Sequence, residues 1–209
     1  MHKYVIMGVQ GCGKGTQAKL LCKDFALVHI AVGDIFRWHV QQHTKLAARI
    51  QRIMNAGQLV PDDIVIEIMR RRLEEHDWNY GFILDGFPRN RPQAEFFLEG
   101  YDIDAVIHVY VPDDVVVQRI VGRRLCSACG RDWNVVFQSP PSPETCECGG
   151  QLKARPDDNE TAVRSRLADY HDKTEPVLEM FRKKDTVIDA DGTQSPTAVQ
   201  AEIRQKLGL

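Results

Sequence analysis

No uninterrupted apolar stretch reaches the ~18 residues that a membrane span requires. The longest apolar run near the start, residues 4–7, is too short for a secretory signal. The expectation is a soluble, cytoplasmic protein with no membrane partner. A surplus of charge is missing as well, since 27 Lys and Arg stand against 29 Asp and Glu for a formal net charge of −2. That balance excludes a global basic field that gathers nucleic acid, so any anion must be held locally. With 43% hydrophobic and 27% charged residues, the chain is neither disordered nor a low-complexity polymer. No internal repeat recurs along it.

What is present is enough for one main domain with modest insertions: 209 residues. Short apolar runs at 3–7, 28–32, 81–84, 105–111 and 186–188 alternate with amphipathic stretches at 14–25, 34–43, 46–55, 62–76, 91–98, 115–124, 161–184 and 197–207. This alternation predicts an α/β fold, a parallel sheet with helices on both faces, and the near-continuous Val, Ile and Leu content suits strands buried on both sides. Pro61, Pro92, Pro112 and Pro196 fall at helix starts, where the missing N–H costs little. Pro176 divides the longest helical stretch. The reading is a single core over 1–209 with two insertions, a helical segment at 33–60 and a small module at 125–158 that is rich in Cys and Pro.

Directly after the first strand comes Gly8-Val9-Gln10-Gly11-Cys12-Gly13-Lys14-Gly15-Thr16, which satisfies G-x-x-x-x-G-K between a strand and a helix. Glycines let the backbone curl until several N–H groups share one concavity, and the following helix adds its positive end. A nucleoside triphosphate is the expected ligand, with Lys14 reaching its terminal phosphates. The pattern usually places Ser or Thr directly after the lysine; here Gly15 stands there and the hydroxyl comes one residue later, at Thr16.

A loop reading G-K-G-T-Q at the head of a 200-residue α/β chain resembles the nucleoside monophosphate kinases, and the adenylate kinase family in particular. Further segments fall in the order that family requires: 29–37 (HIAVGDIFR), 57–62 (GQLVPD), 81–89 (GFILDGFPR) followed by Gln93, and the arginines around the cysteine module. The resemblance implies a P-loop nucleoside triphosphate hydrolase-like core in which 33–60 binds the monophosphate and 125–158 is a lid. It implies reversible transfer of the γ-phosphoryl group of ATP to AMP, giving two ADP, with Mg2+ as cofactor and a monomeric enzyme.

Carried over residue by residue, Gly11, Cys12, Gly13, Lys14, Gly15, Thr16, Arg119 and Arg123 bind ATP. Val32, Arg37, Val60, Gly86, Arg89, Gln93, Arg155 and Arg166 bind AMP, and Lys14, Asp85, Arg123, Arg155 and Arg166 serve the transfer itself. Asp157 and Asp158 orient the arginines, and Arg164 belongs to the same converging set. The chemistry agrees independently of the name. Asp85 ends a buried strand at the edge where ligands gather, which suits a carboxylate serving a phosphate-bound metal. Guanidinium forks match phosphate oxygens, and the Gln93 amide can donate and accept at once. Phosphoryl transfer calls for positioning and charge stabilisation and needs no nucleophilic side chain.

Cys126 and Cys129 are separated by two residues, Cys146 and Cys148 by one, and Gly130 and Gly149 follow each pair. This spacing predicts a closed structural zinc site with four cysteine ligands. Two disulfides or free thiols are the alternative, and no histidine in the module offers another ligand. Cys12 is expected to be a small packing residue, Cys22 to be buried, and none of the seven histidines has the spacing of a catalytic base.

The chain departs from the resembling family at Gln10, where Pro is usual, and at Ala31-Val32, where a Ser-Thr pair is usual. Losing the proline loosens φ in the loop, and losing a threonine hydroxyl removes a polar contact near the acceptor base. Gln93 favours AMP, while UMP or CMP as acceptor, and a nucleotide-sensing regulator without transfer, are the competing readings.

Overall fold

The computed structural model describes residues 2–135, 139–155, 158–184 and 186–209. Its main sheet contains β1 (Lys3–Met7), β2 (Val28–Ala31), β3 (Phe82–Asp85), β4 (Ala105–Tyr110) and β8 (Val187–Asp191), all parallel, in the order β2-β3-β1-β4-β8. The period-2 alternation of a strand divides its side chains between two cores. Val5 and Met7 of β1, with Phe82, Leu84 and Val106, enter a core closed by α4 (Asp62–Glu74), α5 (Arg91–Gly100) and α8 (Glu175–Arg182). Tyr4 and Ile6, with Ile83, Ile107 and Val109, face α1 (Lys14–Phe25), α6 (Asp113–Val121), α7 (Glu160–Asp169) and α9 (Pro196–Leu207).

Residues 33–60 carry most of α2 (Val32–Gln41) and all of α3 (Ala47–Asn55). The cysteine module carries a small antiparallel sheet, β6-β5-β7, built from β5 (Arg123–Cys126), β6 (Asp132–Asn134) and β7 (Leu152–Lys153). Among the described residues no helix is long and apolar enough to cross a membrane.

Three expectations need correction. Val32 opens α2 instead of closing β2, because the strand's pairing with β3 ends at Ala31 opposite Asp85. The helical stretch 115–124 stops at Val121, and Arg123 and Arg124 pair with Asn134 and Trp133 across the small sheet; cross-strand pairing in the module overrides helical propensity there. The stretch 161–184 is interrupted by a π-helical turn, Tyr170–Thr174. Its i+5 bond runs from the Glu175 N–H to the Tyr170 carbonyl, which makes room for Pro176, whose ring cannot sit over a regular preceding turn.

The turn has its own anchors. Thr174 is buried and its hydroxyl donates to the Arg89 carbonyl at 2.7 Å. Tyr170 contacts His108 Nε2 at 3.2 Å, and His108 Nδ1 lies 2.7 Å from Asp189. Arg182 completes the set with a two-pronged bond to Asp189, at 2.7 and 2.6 Å.

The Arg182 fork first, and His108 second, hold the Asp189 carboxyl below its ordinary 3.8, at about 2. A carboxyl depressed by folding stabilises the native state above its unfolded value and loses that contribution as pH falls through the folded one. Asp189→Asn is therefore expected to reduce stability by about 1 kcal/mol at most at neutral pH, because the pair is partly solvated. The difference from the parent should close as pH falls from 3.8 toward 2, which urea denaturation across that range will show.

Candidate active site

A cleft of about 880 Å3 opens along the carboxyl ends of β1, β2 and β3. Open parallel sheets place ligands there, where a crossover reverses the strand order; here the chain passes from β3 over β1 to β4. The register puts Asp85 beside Ile6 on one side and Ala31 on the other, so the carboxylate emerges at the mouth of the phosphate loop.

The loop itself is shaped by left-handed backbone. Gly13 caps α1 at φ 103° with no side-chain hydrogen bond to the helix, so the amides at its positive end face the cleft. Gly8, at φ 142°, passes so close to β4 that a Cβ would lie 2.3 Å from the Val109 carbonyl oxygen. Lys14 Nζ donates to the Val9 carbonyl at 2.8 Å. Cys12 is buried, and burial pushes its thiol up despite the Lys14 charge, in keeping with a packing role.

Asp85 would be pushed up by burial, but a hydrogen bond from His29 and the charges of Lys14, His29 and Arg89 outweigh that and hold it below the ordinary carboxylate value. His29 Nε2 lies 3.3 Å from Asp85 Oδ2. Sequence reasoning missed this histidine, because the contact forms only once β2 and β3 pair.

Arg37, Arg89, Arg119, Arg123, Arg155 and Arg166 all line the cleft. Their crowding has an electrostatic signature: burial, then the positive charges of Arg166 and Arg37, lower the Arg89 pKa, and burial, then Arg123 and Arg37, lower that of Arg155. Arg155 Nε is buried with no hydrogen-bond partner among the described residues.

Carboxylates and carbonyls hold the array in place. Arg123 grips Asp158 with Nε at 2.7 Å and Nη2 at 2.5 Å. Arg155 meets Asp132 at 3.1 Å, Arg89 Nε donates to the Gly86 carbonyl at 2.9 Å, and Arg119 reaches the Gly192 carbonyl at 2.8 Å. Arg37 pairs with Asp34. Arg164 does not join them; it is exposed and paired with Glu160. Asp157 lies outside the described residues.

The remaining expected residues line the same cleft, namely Gly11, Gly15, Thr16, Val32, Val60, Gly86 and Gln93. Gln93 is buried, accepts from the Arg89 N–H at 2.9 Å and donates to Asp62 at 2.7 Å. Asp62, at the start of α4, figured in the sequence only as the end of the 57–62 segment, with no role against Gln93, and the 192–196 loop that also lines the cleft gave no signal.

Comparison with known proteins agrees with this geometry. The adenylate kinase family profile matches residues 6–186. The chain belongs to the adenylate kinase family. It is 40% identical over 213 residues to an adenylate kinase of Caldicellulosiruptor saccharolyticus, covering 99% of each chain. A Methanocella arvoryzae adenylate kinase is 40% identical over 208 residues, 97% of this chain and 96% of the relative. One from a Geobacillus strain is 41% identical over 211 residues, 98% and 97%.

Beside the cleft, the cysteine module holds four unbridged thiols whose sulfurs all lie within 4.8 Å of one another. Cys126 and Cys148 are 3.5 Å apart, Cys129 and Cys146 3.8 Å. Those separations exclude disulfides. A tetrahedron of ~2.3 Å metal–sulfur bonds has edges of about 3.8 Å, so the four cysteines are placed to bind a metal ion. The Cys129 N–H draws the Cys126 thiol down to about 6, and the Cys148 N–H and the Trp133 indole lower that of Cys146, while against the Arg131 N–H the neighbouring sulfurs push the Cys129 thiol up to about 11; two of the four are thus drawn toward the thiolate that ligates metals. Chelation is expected to expose these four thiols together to a chromogenic reagent and to lower the thermal midpoint. Cys22→Ser, remote from the module, should leave both readouts unchanged.

Proposed function

We propose that this chain transfers the γ-phosphoryl group of ATP to AMP, giving two ADP, reversibly and with Mg2+. The observation that carries the reading is the convergence of Lys14, Arg37, Arg89, Arg123, Arg155 and Arg166 on one cleft, where burial first and the neighbouring like charges after it lower two guanidinium pKa values. Such an array attracts polyanions, and a protein that moves phosphoryl groups by electrostatic stabilisation needs it.

The phosphate loop, Gly11 to Thr16, cradles the donor phosphates with backbone N–H groups, and Lys14 turns from the Val9 carbonyl toward the terminal ones. Arg119, tied to the 192–193 carbonyls, flanks the donor base. Arg37 and Arg89 hold the acceptor phosphate, while Val32, Val60, Gly86 and Gln93 form the wall against its base. Arg123, Arg155 and Arg166 lie between the two nucleotides, where charge spreads over the equatorial oxygens of the migrating group.

The residues suit the metal. Asp85 is kept ionised at the loop's mouth, close beside Gly15, so the carboxylate faces the place where the donor phosphates lie. When bound, Mg2+ supplies positive charge to the donor phosphate oxygens. Asp85 holds its place, with His29 fixing the carboxylate's orientation.

The two insertions, 33–60 and 125–158, serve as covers that exclude water from the poised phosphoryl group, and zinc on the four cysteines orders the second, a module with too small a core to fold unaided. The enzyme works as a monomer in the cytoplasm on free nucleotides, consistent with its near-neutral charge, and without nucleic acid or membrane partners.

ADP formation from ATP and a panel of monophosphates tests this reading: AMP should be the preferred acceptor, and preference for UMP or CMP would reassign the role of Ala31 and Val32. Tight nucleotide binding with no transfer to any acceptor would overturn it. Arg89→Ala should reduce kcat/KM by about 10²- to 10³-fold, with the loss expressed for AMP more than for ATP.

A further inference from the structure

Gln10 occupies the loop position where the resembling family carries proline, and its side chain is not idle. Its Oε1 accepts from Arg166 Nη1 at 2.7 Å, and its Nε2 approaches Asp158 Oδ1 at 3.5 Å. Asp158, almost wholly buried, is the carboxylate gripped by Arg123. Arg166 also donates to the Met54 carbonyl at 3.0 Å. One amide on the phosphate loop thus touches the arginine arriving from α7 and the aspartate at the exit of the cysteine module. Through Arg166 it is linked to α3 as well.

We propose that Gln10 is a positioning residue that fixes Arg166, and with it the Asp158–Arg123 pair, against the phosphate loop before the phosphoryl group is transferred; the inference rests on the kinase reading above. The chemistry favours an amide for this task. A neutral oxygen satisfies one guanidinium N–H without cancelling the positive charge that the transferring group needs, whereas a carboxylate at the same place would neutralise it and repel the donor phosphates. The amide also presents a donor on its other arm, so it can face Asp158 while accepting from Arg166. Proline can do neither. A charge-assisted bond aimed at a catalytic guanidinium acts on the transition state more than on ground-state binding, so its loss should appear in kcat.

The test compares Gln10→Met, of similar length but without hydrogen-bonding capacity, with the unsubstituted chain, in steady-state ADP formation at varied ATP and AMP. Gln10→Ala serves as a second variant should the longer side chain pack poorly. The expected result is an about fivefold fall in kcat with both KM values within about twofold, and a thermal midpoint within about 2 °C of the parent. The same substitution in an Arg166→Lys background should cost less than about twofold, because the partner through which Gln10 acts has changed.

Equal losses in both backgrounds, an effect confined to KM for ATP, or no effect at all would overturn the inference. If the unsubstituted chain makes no ADP from ATP and AMP, the kinase reading falls and the inference with it. That result is distinct from an active chain in which Gln10→Met is silent, which overturns the inference alone.

Discussion

Mutual repulsion among guanidinium groups is the constraint around which the molecule is arranged. Arg37, Arg89, Arg123, Arg155 and Arg166 come from five separate places along the chain and are brought into one cleft, where nothing about their own charges favours proximity. The fold holds them there with fixed acceptors: Asp158 for Arg123, Asp132 for Arg155, the Gly86 carbonyl for Arg89. The Gly86 turn is placed by the two apolar cores of the large sheet, and Asp132, on β6, by the separate nucleus of the cysteine module. Packing of Val5, Leu84, Ile83 and Ile107 on the two faces of the sheet therefore fixes the floor on which the cations assemble. The apolar burial supplies the stability, and the cations direct it to a chemical use.

Much of this was legible in the residues because it depends on local rules. The glycine pattern and lysine between β1 and a helix specify a phosphate loop, and the continuous apolar runs at 3–7 and 105–111 suit strands covered on both sides. The four cysteines are similarly local: two short spacings, each followed by a glycine that adopts positive φ, 67° at Gly130 and 82° at Gly149, bring the sulfurs to one point.

What escaped the sequence depends on contacts between elements distant in the chain. His29 meets Asp85 because β2 lies against β3. Gln93 has its amide set by Asp62, 31 positions away. The small sheet of the cysteine module is built from strands of two to four residues, too short for a period-2 pattern to declare itself, and the helical periodicity leading into it consequently runs on three residues too far. Arg164 and Arg166 differ by two positions on α7, which turns them to different sides of a helix; only the packing of that helix tells which one enters the cleft.

The cysteine module owns a nucleus of its own, Cys126, Trp133, Cys146 and Leu152, none of which belongs to the cores on the two faces of the large sheet. Folding cooperativity travels through shared apolar neighbours, so loosening of that nucleus reaches the rest of the molecule through the polar ties that the module makes at the cleft, Arg155 with Asp132 and Arg123 with Asp158. Unfastening the four thiolates would therefore slacken Arg155 and Asp132 at the cleft's edge while the parallel sheet beneath kept its packing.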